Sequence, residues 1–311
     1  MIIKDIINDI ENFSPRNNEI NLDKVANYIK EKLTGNGIDF NDQYFYVEIP
    51  IDKGSYIKLE TGEKIIGKAN SFYSGSFEDK NIYSSQNIYQ DIKIPHINFN
   101  QYYNAYSGVI YYDFPVINIK KEDLDKVISS ENIEVYVNID KKLIKTENIL
   151  VGNINNPKYI LFSHFDTIFN GAVDNSSGTA LLLYNILDNL INLKESLIVF
   201  SGSEELSYDK PYYWGYGYRL FEYEYKKLMH SSKKIIVVDM FGSTKPIMTK
   251  EFIKEAFPIM NTDFYDKSIQ ITESDINTWI KSYHSEADTI DKINNNYLEE
   301  AEKLLISIIH K

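Results

Sequence analysis

Hydrophobic positions along the chain follow three successive rhythms. In residues 1–45, Ile3, Ile6, Ile7 and Ile10 recur at helical spacing. Leu22, Val25, Ala26, Ile29 and Leu33 repeat that period until Gly35 and Gly37 end it, which predicts two amphipathic helices. Over residues 46–145 the pattern shortens to β-like runs rich in Tyr and Ile, broken by Gly, Pro, Ser and Asn. Strands are predicted at 44–51, 56–59, 107–112, 116–119 and 134–139, with a short helix at 121–129. From residue 146 onward, continuously apolar runs at 159–163, 197–201 and 235–239 alternate with helical patterns at 177–193 and 297–309. Strands apolar on both faces and alternating with helices predict an α/β fold. The expected core is a mixed, mostly parallel sheet sandwiched by helices, with a small mostly-β module inserted. The expected domains are N-terminal helices of a catalytic domain (1–45), the inserted module (46–145) and the catalytic domain proper (146–311).

Composition narrows the chemistry. At 311 residues and 43% hydrophobic, the chain can bury a substantial core as one large or two modest domains. Its net charge of −12 opposes nucleic-acid binding, which needs a basic face to displace phosphate counterions. There is no cysteine, so disulfides and thiolate metal sites are excluded, and any metal must be held by His, Asp or Glu. The opening residues are amphipathic and carry Asp5 and Asp9, unlike a signal peptide. No apolar run approaches the roughly 18 residues of a membrane span. A soluble, cytoplasmic protein with no nucleic-acid or membrane partner is expected, and homo-oligomerisation is left open.

In open α/β sheets ligands bind beyond the carboxyl ends of the strands, so the residues following each predicted strand are informative. The first apolar run leads into His164-Phe165-Asp166, the second into Gly202-Ser203-Glu204-Glu205, and the third ends at Asp239. Gly171-Ala172-Val173-Asp174-Asn175-Ser176-Ser177-Gly178 opens a helix, and Tyr283-His284-Ser285-Glu286-Ala287-Asp288-Thr289 lies near the end. Each piece alone has an ordinary reading. His164 and Asp166 could form a surface loop, residues 174–178 a turn with a helix cap, and Glu204-Glu205 a solvated acidic pair. Asp239 resists this, because a carboxylate closing Ile-Ile-Val-Val should be buried and require a partner or a metal.

Taken in order, these segments resemble the M28 family of zinc peptidases across the catalytic half of the chain. The resemblance implies a two-metal aminopeptidase acting on peptide substrates, with two zinc ions, or cobalt or manganese in their place. It implies the ligands His164, Asp174, Glu205, Asp239 and His284, with Asp174 bridging, His164 and Asp239 on one ion, and Glu205 and His284 on the other. Glu204 would be the general base, and Asp166 would accept the second imidazole N–H of His164. A cis Asp174–Asn175 peptide is also implied. Phe13-Ser14-Pro15-Arg16 resembles the family's opening segment, and residues 114–123 loosely resemble part of a protease-associated (PA) domain, a lid being the alternative for that module.

The sequence departs from the family pattern in two places. Tyr208–Tyr218 is crowded with aromatics where a glycine-rich stretch is usual, and reads either as a packed loop or as a pocket wall favouring bulky apolar side chains. Ser274-Asp275-Ile276 lacks an expected histidine. Three alternative functions are open to this scaffold. A carboxypeptidase or dipeptidase would need a cation for the substrate carboxylate; with Arg16 and Arg219 the only arginines, Arg219 or nearby lysines would have to serve. A glutaminyl-cyclase-like transferase would use one zinc. A non-catalytic binding module would be expected to have lost ligands.

Overall fold

A computed structural model describes residues 2–310. The chain opens with helices α1 (Ile3–Glu11) and α2 (Glu19–Gly35) and the long strand β1 (Phe40–Asp52). Short strands follow: β2 (Tyr56–Leu59), β3 (Lys64–Ile66), β4 (Lys68–Ala69), β5 (Gly75–Phe77), β6 (Ile82–Ser84), β7 (His96–Phe99) and β8 (Val116–Ile119). Helix α3 (Leu124–Ser129) and β9 (Ile133–Val137) precede a second long strand, β10 (Ile139–Gly152). The α/β alternation then runs β11 (Tyr159–His164), α4 (Ser177–Leu187), β12 (Ser196–Ser201), α5 (Tyr216–Ser231), β13 (Lys234–Val238), β14 (Pro246–Thr249), α6 (Ile253–Ala256), β15 (Ser268–Glu273), α7 (Ile276–Trp279) and α8 (Asn295–Ile309).

The chain divides into two packing units. The first comprises the described residues up to Val47, Ile144–Thr278, and the described residues from Thr289 onward. The second comprises Glu48–Leu143 with Trp279–Asp288.

The first unit is organised by a seven-stranded sheet in the order β1-β10-β12-β11-β13-β15-β14. Its centre is parallel: β11 pairs with β12 and β13, and β13 pairs with β15. Strands β10 and β14 pair antiparallel with β12 and β15. The mixed, mostly parallel sheet expected from the apolar runs is therefore the sheet observed. Every residue of β11 and β12 is buried, as a strand covered on both faces requires. Alternation along the strands sends Ile160, Phe162, Leu197, Val199, Ile235 and Val237 to one face, where Tyr218 and Phe221 of α5 pack against them. The register matters for function. His164 pairs with Ser201, and Val238 with Ile271, so the carboxyl ends of these strands finish level with one another.

Helices α1 and α2 bury the residues that their spacing selects: Ile3, Ile6, Ile7 and Ile10 on one, Leu22, Val25, Ala26, Ile29 and Leu33 on the other.

The second unit contains two four-stranded sheets, β3-β2-β9-β5 and β4-β8-β7-β6. Ile57, Ile65, Ile97, Ile117, Val127 and Val135 are among the residues of its core. The strand predicted at 107–112 is not formed. Residues there make isolated bridges at Ser107 and Tyr112 and otherwise run as a loop. Side-chain bonding explains part of this, because the Asn70 amide donates to the Ile110 carbonyl and so replaces a ladder partner. Gly108 N–H donates instead to the His284 carbonyl, and Ser285 bridges to Ser107. No described helix is long and apolar enough to cross a membrane.

Candidate metal centre

Three strand ends and one helix start deliver acidic residues and one imidazole to the same edge of the central sheet. His164 is the last residue of β11 and is buried. The N–H of Phe165 donates to the Ser201 carbonyl at 2.8 Å and carries the strand register past the histidine. Asp239 follows β13 directly, and its N–H donates to the Ile271 carbonyl. Glu204 and Glu205 sit in the turn after β12, both buried.

Asp174 lies in a tight π-type turn, Ala172–Ser176, that runs into α4. Its φ and ψ of −119° and 91° leave the helical region, and the Asp174–Asn175 peptide is cis, as the resemblance implies. The Asn175 side chain fixes this turn to the sheet. Its Nδ2 donates to Ser163 Oγ at 3.1 Å and to the Val238 carbonyl at 3.0 Å, and its Oδ1 accepts the Gly178 N–H at 2.9 Å. A Cβ on Gly178 would strike both the Asn175 side chain and the Val238 carbonyl, so this approach requires glycine.

Ligand-capable atoms of His164, Asp174 and Glu205 lie within 4.8 Å of one another, all on buried side chains. His164 Nε2 is 3.3 Å from Asp174 Oδ1 and 3.3 Å from Asp239 Oδ1. One imidazole nitrogen thus faces carboxylates from two different elements. Burial opposes protonation of His164, but hydrogen bonds to Asp166, Asp174 and Asp239 outweigh it and hold the imidazole well above its usual range.

Asp166 lies beside His164 and also supports the glutamate turn. His164 Nδ1 is 3.2 Å from the backbone carbonyl of Asp166 and 3.5 Å from its carboxylate. The carboxylate accepts the N–H groups of Glu204 and Glu205, each at 2.9 Å, and so holds the turn that bears both glutamates. Burial pushes the Glu204 carboxyl well above the usual carboxylate range against the attraction of His164, and Glu205, Asp239 and Asp166 add to the rise.

His284 is carried by the second unit, with a φ of 46° and its Nδ1 3.3 Å from the Val109 carbonyl.

Both arginines prove to be internal struts. Arg219, considered above for a substrate carboxylate, is buried and directed at its own loop. It donates to Asp209 Oδ2 at 2.9 Å and to the carbonyls of Tyr212, Trp214 and Pro258. The aromatic segment it braces is tied back to the glutamate turn, because Gly215 N–H donates to the Glu204 carbonyl and Gly217 N–H to the Ser203 carbonyl. Arg16 is fully buried and donates to the carbonyls of Phe165 and Gly171. Reading the sequence did not reveal this role. The only local signal was an isolated arginine beside Pro15, between two apolar helical patterns.

Neither a protein-family model nor a curated protein matches the chain. Solved structures do. A zinc aminopeptidase from Bacillus subtilis aligns over 99% of this chain and 93% of its own, with a TM-score of 0.70 and 17% identity. A peptidase M28 precursor from Shewanella amazonensis SB2B aligns over 99% and 92%, with a TM-score of 0.67 and 12% identity. A glutaminyl cyclase from Bacteroides thetaiotaomicron, bound to N-acetylhistamine, aligns over 99% and 96%, with a TM-score of 0.55 and 14% identity. The chain therefore matches the fold of M28 zinc aminopeptidases along its whole length, and glutaminyl cyclases share that fold.

Proposed function

We propose that the chain is a metal-dependent aminopeptidase that releases N-terminal residues from peptides with the aid of two zinc ions, cobalt or manganese serving in their place. The observation that carries this reading is the convergence of His164, Asp174 and Glu205 within 4.8 Å, with Asp239 against the same imidazole nitrogen. The donor set suits divalent zinc: one neutral-capable imidazole, several carboxylates, no thiolate, and a buried setting in which close carboxylates need a cation. Asp174 would lie between the ions, with His164 and Asp239 toward one and Glu205 toward the other. His284 joins the set on the strength of the sequence resemblance.

When bound, such ions supply Lewis acidity toward water and toward the scissile carbonyl. The protein's own groups do the rest. Glu204 accepts the proton of the attacking water and delivers it to the leaving amine, a task suited to a buried carboxyl that adjoins the candidate ligand Glu205 without belonging to the ligand set. Asp166 keeps Glu204 in place by accepting its N–H. The aromatic residues of the 208–218 segment, Tyr212 and Trp214 among them, are proposed as a wall of the substrate pocket for bulky side chains.

A carboxypeptidase reading loses support, because Arg219 is committed to Asp209 and backbone carbonyls. A glutaminyl-cyclase-like transferase is the second reading, favoured by the shared fold. The deciding experiment compares free, N-acetylated and C-amidated peptides and a peptide beginning with glutamine, with and without chelator. Release of the first residue from free and C-amidated peptides, lost on chelation and restored by zinc, is expected. Cleavage of N-acetylated peptides at the same rate would overturn the aminopeptidase assignment, and cyclisation of N-terminal glutamine without release of a residue would install the second reading.

A further inference from the structure

The geometry points to Arg16 and Glu11 as a positioning pair that sets the separation of His164 and Asp174; the inference rests on the metal-site reading above. The two candidate ligands come from separate loops, residues 164–168 and 171–176, and the pair grips both. On the first loop, Arg16 Nε donates to the Phe165 carbonyl at 2.6 Å, immediately after His164. The Arg16 backbone N–H donates to Thr167 Oγ1 at 3.0 Å, and Thr167 N–H returns to the Arg16 carbonyl at 3.3 Å.

On the second loop, both backbone polar groups of Gly171 are held. Its N–H donates to Glu11 Oε2 at 3.1 Å, and its carbonyl accepts Arg16 Nη2 at 3.5 Å. Glu11 Oε1 also accepts the Ser176 hydroxyl at 2.6 Å, on the far side of Asp174. The pair is closed by Arg16 Nη1 to Glu11 Oε1 at 2.6 Å, with Ser14 Oγ accepting from the same nitrogen at 2.7 Å. No side chain fits at Gly171, since a Cβ there would collide with the Asp174 carbonyl and the Thr167 methyl.

Stability alone explains this arrangement poorly. Desolvating an arginine and a glutamate is costly, and well-packed apolar residues often do as well or better. Helix α1 already docks through Ile3, Ile6, Ile7 and Ile10. What apolar residues could not do is hold the Phe165 carbonyl and both polar groups of Gly171 in one fixed frame, which supports first-contact ligands from behind.

The test uses the full chain and the variants Arg16→Lys, Glu11→Gln and Arg16→Ala. Zinc affinity is measured by competition with a chromogenic chelator, and the cobalt-substituted protein is followed by visible absorption. Expected is a loss of zinc affinity of roughly 10–100-fold, an altered cobalt spectrum, and a fall in kcat with KM little changed. Added guanidinium should restore zinc affinity in Arg16→Ala. Should that variant fail to fold, Glu11→Gln, which keeps the shape of the side chain, decides the matter. Variants that melt earlier yet bind zinc as tightly as the unaltered chain, with the same cobalt spectrum, would overturn the positioning role alone. Absence of zinc and cobalt uptake by the unaltered chain would overturn the metal site and the pair together.

Discussion

The two arginines of this chain brace two loops of the first unit, and the loops differ in what they bear. Arg16 is sealed from solvent, its partner Glu11 is 13% exposed, and between them they hold backbone groups flanking His164 and Asp174. Arg219 is buried too, but its partner Asp209 is 39% exposed, and its other bonds close a loop of Tyr and Trp. The first loop system carries candidate chemistry and is fastened by a pair that is mostly buried and bonded on both sides. The second carries candidate recognition and is fastened by a pair open to water on one side. Screening makes the second pair weaker and its loop easier to reshape.

That contrast can be broken at its strongest point first. Glu204→Gln should retain zinc, measured by elemental analysis, while kcat falls by roughly 10²–10⁴-fold; Asp174→Ala in the same series should lose zinc itself. Next comes the aromatic loop. Trp214→Ala should leave zinc content unchanged and raise KM for substrates with bulky N-terminal side chains by about tenfold, sparing alanine substrates. An equal effect on both substrate types would remove the loop from the specificity pocket. Arg219→Met should lower thermal stability by about 1–3 kcal/mol, discounted for the exposure of Asp209, again without loss of zinc.

A third pair, Lys30–Glu147, supplies a control outside both loops. Burial, aided by Asp42, pushes Glu147 up to about 7 against the pull of Lys30. A carboxyl with a folded pKa above its unfolded value contributes stability that is complete below the unfolded pKa. That contribution is lost as pH rises through about 7. Denaturation of the unaltered chain should therefore show a stability decline across that window, and Glu147→Gln should flatten it.

What the sequence disclosed follows from the range of the forces involved. Strands β11, β12 and β13 were legible because parallel strands buried on both faces must be apolar at every position, and the residues after them then fell on one edge. Helices α1 and α2 were legible because their buried faces repeat at the helical period. Strand β10 was missed: Asp140, Lys141, Lys142, Lys145 and Glu147 make its first half polar, and it pairs antiparallel with β12 only from Asn148 onward. Helix α5 was obscured by the tyrosines around Gly215 and Gly217, whose N–H groups bond to the glutamate turn. The false strand at 107–112 had the right side chains, but the bonds that would have made it a ladder went to Asn70 and to residues 284–286. The parts played by Arg16 and Arg219 depend on backbone carbonyls that no residue pattern announces.

The reach of the Arg16 bonds has a further consequence. Phe165 and Gly171 lie 149 and 155 residues beyond Arg16 along the chain. On a ribosome Arg16 and its partner Glu11 are made long before the strands they must meet, with about half of the protein still to be synthesised. Contacts of such separation form late and are slow to be rewarded. If the proposed site holds, closure of the frame around His164 and Asp174 is expected late in folding, and metal uptake would report the completed molecule rather than an early intermediate.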